Sequence, residues 1–224
     1  MYKQRGKLFL LGIAIALAPL TGMAAITFDG SGAASNTFQQ QQNSPCVIGN
    51  PSCNQPTGFT FTSDPNGGNY PYTSPLYQAT SPFTTFAGNL IPTAFTLGID
   101  SNIATGQGLQ TLIYFQTFLC NSTGTVCNVD TANSYSPATP TPIPDNNNGN
   151  GRSDATLKGF ALTAGNYYQF KANVGNDTAG MEQFFVIPAT SAVPEPSYLI
   201  SLTVGGALLF LFAQRRKRQN DNVA

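Results

Sequence analysis

The chain contains no histidine and no tryptophan, and only 9% of its 224 residues are charged. Without histidine there is no Ser-His or Cys-His nucleophilic pair and no common zinc ligand set. Charge is scarcest where a folded domain would sit. Between residues 25 and 193 the only cations are Arg152, Lys158 and Lys171. Asp29, Asp64, Asp100, Asp130, Asp145, Asp154, Asp177 and Glu182 share that stretch, which leaves it with a net charge of −5. Such a surface repels phosphate backbones, so nucleic acid is excluded as a partner. The same stretch has no long run of 3.6-residue hydrophobic period, and nothing in it reads as an amphipathic helix.

Cysteine is sparing but patterned. Cys46/Cys53 and Cys120/Cys127 repeat one spacing, and each pair brackets a turn-rich segment containing Gly49, Asn50 and Pro51 or Gly124. Four cysteines allow three pairings. Local pairing is the expected one, in an oxidising compartment, and closing so short a loop stabilises by about 2–3 kcal/mol.

Both ends read as targeting segments. Lys3, Arg5 and Lys7 precede an apolar run over residues 8–20, and Gly22-Met23-Ala24 offers small residues for signal peptidase. Residues 1–24 are therefore expected to be a signal peptide that engages the export machinery and is cleaved after Ala24. At the other end Pro194-Glu195-Pro196 precedes an uncharged stretch, 198–213, and then Arg215, Arg216, Lys217 and Arg218. As a helix those sixteen residues would span about 24 Å, slightly less than a hydrocarbon core. The basic cluster holds its end, with residues 219–224, in the cytoplasm.

Pro-Glu-Pro, a short apolar span and an Arg-rich cluster, in that order, resemble the PEP-CTERM sorting signal of Gram-negative bacteria. The resemblance covers residues 193–218 only. It implies recognition by an exosortase, a membrane-embedded protease-transpeptidase that removes the anchor near the Pro-Glu-Pro motif. It also implies a host that makes extracellular polysaccharide or floc matrix, and a protein held only transiently in the membrane before reaching the cell surface.

The middle, residues 25–192, is expected to be all-β, a β-sandwich or jelly roll flanked by the signal helix and the transmembrane helix. Residues 59–62 and 94–99 read as strands. Residues 109–120, apolar on both faces, read as a strand buried on both sides. Residues 167–174 alternate cleanly, and with a turn at 175–180 and a return over 181–187 they read as a hairpin. The Pro/Asn-rich stretch 134–151 reads as a long surface loop within one domain.

Three features bear on chemistry. Asn146, Asn148, Asn150 and Asp154 fall at the alternate spacing of calcium loops, but amides replace the carboxylates such loops need, so a plain loop is the preferred reading. Tyr70, Tyr72 and Tyr77 lie in a Gly/Pro-rich segment and offer aromatic faces for carbohydrate. The acids stand in no catalytic motif, although two carboxylates are all that glycoside hydrolysis requires. The expected function is a non-catalytic exported matrix protein associated with extracellular polysaccharide, with no cofactor. A carbohydrate-binding module is the alternative, and a secreted hydrolase the second.

Overall fold

In the computed structural model, residues 25–31, 38–63, 71–103, 108–146, 151–176 and 182–189 are described, and every regular element among them is a strand. The signal peptide and the sorting tail lie outside these residues, as do Tyr70, Asn148 and Asn150. In chain order the strands are β1 (Thr27–Asp29), β2 (Cys46–Gly49), β3 (Thr62–Ser63), β4 (Tyr72–Thr73), β5 (Tyr77–Thr80) and β6 (Leu90–Pro92). There follow β7 (Ala94–Asp100), β8 (Thr111–Cys120), β9 (Cys127–Tyr135), β10 (Thr141–Pro142), β11 (Ala155–Ala161), β12 (Tyr167–Gly175) and β13 (Gln183–Pro188).

They form two sheets. The first runs β1-β11-β7-β13-β2-β3, and the second β10-β8-β12-β5-β6 with β9 on β8 and β4 on β12. Strand alternation explains how they pack. Along β12 the side chains of Tyr168, Phe170, Ala172 and Val174 are buried, while those between them are half-exposed. The buried set meets Phe95, Leu97, Ile99, Leu157, Phe160 and Phe184 of the first sheet in one core. Rings cross that boundary: Phe95 meets Phe170 edge-on at 6.0 Å, and Phe115 of β8 stacks on Phe184 of β13 at 5.7 Å.

Three sequence expectations change. The residues at 167–187 do not form a hairpin. β12 pairs with β8, whereas β13 pairs with β7 and β2 in the other sheet. β12 and β13 therefore lie in different sheets, and each buries apolar side chains in the core they share. Nor is β8 buried on both sides. Leu112, Phe115 and Thr117 point inward, and Tyr114, Gln116 and Phe118 lie half-exposed on the outer face. The Pro-rich stretch is fastened rather than free: Thr141 and Pro142 pair with β8, and Ile143 is fully buried.

The local cysteine pairing holds, with Cys46–Cys53 and Cys120–Cys127 both bonded. The first bridge covers the outer face of the first sheet together with Phe185 and Ile187. Beneath it Phe185 lies over Gly98, its register partner, and a Cβ at Gly98 would fall 2.3 Å from Phe185 Cζ. Gly98→Ala is expected to cost about 2–3 kcal/mol, because a covered aromatic ring has nowhere to retreat. Gly108→Ala, where a Cβ meets nothing within 4 Å, is expected to be nearly neutral. Thermal melts of the two variants check the difference.

At the sheet edge, Lys158 pairs with Asp29 and holds β1 against β11. The Lys158 bond, with help from Ser31, keeps the Asp29 carboxyl well below the usual carboxylate range. The contribution of this pair is therefore present above the ordinary carboxylate pKa and lost as pH falls below it.

Candidate functional site

Of the three tyrosines singled out in the sequence, Tyr70 lies outside the described residues, and Tyr72 and Tyr77 turn toward the core rather than toward a ligand. Tyr77 is fully buried: its ring stacks on Phe59 at 5.2 Å, and its hydroxyl donates to Thr60 O at 2.8 Å. Burial pushes its phenol well above the ordinary value. Position 77 opens β5 on the core-facing parity, and this is why it cannot meet a ligand. Tyr72 pairs with Ala172, shares its inward parity and packs half-buried against the same core.

A different aromatic face is assembled on the outside of the second sheet. Register sets its rows. Tyr114 lies opposite Asn173, Gln116 opposite Lys171, Phe118 opposite Gln169, and Cys120 opposite Tyr167. Residues paired in an antiparallel ladder share a face, so these eight side chains stand together. Neighbouring strands widen the platform, with Val129 beside Phe118, Thr73 beside Lys171 and Gln78 beside Tyr167. Adjacent strands are about 4.8 Å apart and same-face neighbours about 6.7 Å along a strand. The platform is thus a regular grid in which aromatic rings and amides interleave.

The grid is held firmly. Its apolar end closes on the Cys120–Cys127 bridge, and Gln169 Oε1 rests 3.4 Å from Cys127 Sγ. The turn beyond is ordered by Asn121, whose Oδ1 accepts the N–H groups of Thr125 and Val126, with Gly124 at a positive φ of 71°. On the far side the Ser74 N–H donates to Phe170 O at 2.8 Å, and the Ser74 hydroxyl oxygen accepts the Phe170 N–H at 2.8 Å. Val129 is exposed beside Phe118, so this end of the platform is apolar and the other amide-rich.

Such a surface suits a hydroxyl-rich, ring-shaped ligand. The C–H faces of sugar rings can lie on Tyr114, Phe118 and Tyr167, while Gln116, Gln169, Asn173 and Gln78 donate to and accept from hydroxyls. Lys171, at the centre, is the one cation in these rows. The residues were missed in the sequence for a specific reason. Tyr114, Gln116 and Phe118 alternate, but the reading of 109–120 as buried on both sides hid their outward parity. On β12 the outward set, Tyr167, Gln169, Lys171 and Asn173, was visible in the alternation itself.

The calcium-like loop is only partly described. Asp154 is fully buried, its Oδ1 accepting the Asn146 N–H at 2.8 Å and its Oδ2 the Ser101 N–H at 2.7 Å. Among the described residues no group of three or more His, Cys, Asp or Glu is arranged to hold a metal. No protein-family model, no curated protein and no solved structure matches the chain.

Proposed function

We propose that this is an exported, non-catalytic matrix protein that binds polysaccharide through the outer face of β8 and β12. The observation that carries the reading is the register of those two strands, which sets Tyr114, Phe118 and Tyr167 among four side-chain amides on one rigid, solvent-facing sheet. Charge supports it as well: a platform with a single Lys171 suits hydroxyl-rich chains better than polyanions. Two disulfides suit an oxidising, extracellular destination. The signal peptide and the PEP-CTERM-like tail supply the route, with exosortase release near Glu195 after passage through the inner membrane. The domain that travels is a β-sandwich of jelly-roll type.

A glycan array probed with the full chain in detergent tests the reading. Retention on neutral polysaccharides whose rings present faces of axial C–H bonds is expected, with Tyr114→Ala/Tyr167→Ala losing the signal. Retention that persists in this double variant would place binding elsewhere.

A further inference from the structure

Three of the eight acids between residues 25 and 193 are concentrated at one end of the first sheet, where Asp100 is 1% exposed and Asp154 and Glu182 are fully buried. Asp100 ends β7, and Asp154 immediately precedes the first rung of β11, Ala155 on Ile99, so their carboxylates sit side by side at the end of one strand pair. The backbone stitches them together. Asp154 N–H donates to Ile99 O at 2.7 Å, Ser101 N–H donates to Asp154 Oδ2, and Gly151 N–H donates to Asp100 Oδ2 at 2.9 Å. A hydrogen-bonded chain continues to the third acid: the Ser101 hydroxyl donates to Gln110 Oε1 at 2.9 Å, and Gln110 Nε2 donates to Glu182.

One atom is left over. Asp100 Oδ1 is buried and has no hydrogen-bond partner. A buried carboxylate oxygen without a donor, next to a second carboxylate, is costly unless a proton or a cation joins them. Burial and the charge of Asp154 push the Asp100 carboxyl up to about 7.

We propose that Asp100 and Asp154 hold a divalent cation, Ca²⁺, at the end of the β7–β11 pair, with Asp100 Oδ1 as a direct ligand. The donors are hard oxygens, which exclude soft metals. With only two carboxylates, the remaining ligands are neutral oxygens of backbone carbonyls, amides and water. That donor set corresponds to the weak calcium sites of extracellular modules, with dissociation constants of about 10⁻⁴–10⁻³ M. Asp154 closes the calcium-like spacing seen in the sequence, and Asp100 adds a second carboxylate from a distant strand. The loop spacing alone could not reveal it, because Asp100 lies 54 residues before Asp154.

The test is a thermal melt and a calorimetric titration of the full chain in detergent, first stripped with EDTA and then given CaCl₂ or MgCl₂. Ca²⁺ at 10 mM is expected to raise Tm by several degrees with one-to-one binding, and Mg²⁺ to do much less. Asp100→Asn should melt no lower than wild type in EDTA, because it removes the orphan charge, and should lose at least tenfold in Ca²⁺ affinity. No Ca²⁺-dependent heat or melting shift in the wild type would overturn the site. An equal response to Mg²⁺ would overturn the choice of ion, and a Ca²⁺ response retained by Asp100→Asn would overturn the ligand. If Asp100→Asn does not fold, the wild-type titration alone still decides between a cation and a shared proton.

Discussion

Phe115→Ala is expected to destabilise the protein by about 3–5 kcal/mol. The Phe115 ring is fully buried and joins the two sheets. It stacks on Phe170 at 5.6 Å within its own sheet and on Phe184 at 5.7 Å across the core, and it meets Phe160 edge-on at 5.9 Å. Truncation therefore removes aromatic contacts to three neighbours and leaves a cavity that strands from both sheets would have to move to fill. Phe118→Ala supplies the comparison. Phe118 lies three residues along the same strand but on the half-exposed outer face, and its loss should cost less than about 1 kcal/mol. Urea denaturation of both variants reads the difference. Equal losses would mean that the inward and outward parities of β8 are wrongly assigned.

On the sorting route proposed above, replacement of Pro194-Glu195-Pro196 by alanines is expected to convert a released protein into a retained one. Both prolines fix φ and remove an N–H, and each biases the residue before it away from helix, which on that route favours an extended segment at the protease. An extended segment can enter a protease site directly, whereas three alanines would let a helix formed by the proposed span, 198–213, continue outward and require unwinding before cleavage. In an exosortase-positive host, fractionation should find the variant in the inner membrane and the wild type outside it. Mass spectrometry should find wild-type molecules that lack Arg215–Arg218. Mature molecules that keep the basic cluster would make the tail a permanent anchor.

The legible parts of the fold were those that local physics determines. Short disulfide loops were readable because Cys46–Cys53 and Cys120–Cys127 each close on turn residues of their own segment. The alternation of 167–174 was readable because a strand with one wet face must alternate. What failed depended on partners distant in sequence. Whether β12 turns back onto β13 or crosses to another sheet depends on β8 and β7, and no turn signal at 175–180 encodes that choice. Tyr77 failed for a related reason. An aromatic in a Gly/Pro-rich segment looks exposed until the core it fills, around Phe59 and Phe170, is present. The candidate face was half legible: its β12 rows follow from alternation, whereas its β8 rows required knowing that only one side of β8 meets the core.

The most direct measurement is the dissociation constant of the full chain for a neutral polysaccharide retained on the array, compared with that of Tyr114→Ala/Tyr167→Ala. Both side chains are half-exposed on the outer face, so the double variant should keep its melting temperature to within a few degrees. Losing two stacking rings is predicted to weaken binding by roughly 30-fold or more, at about 1 kcal/mol or more per ring. Unchanged affinity in a folded double variant would contradict the assignment of the β8–β12 face as the polysaccharide-binding surface.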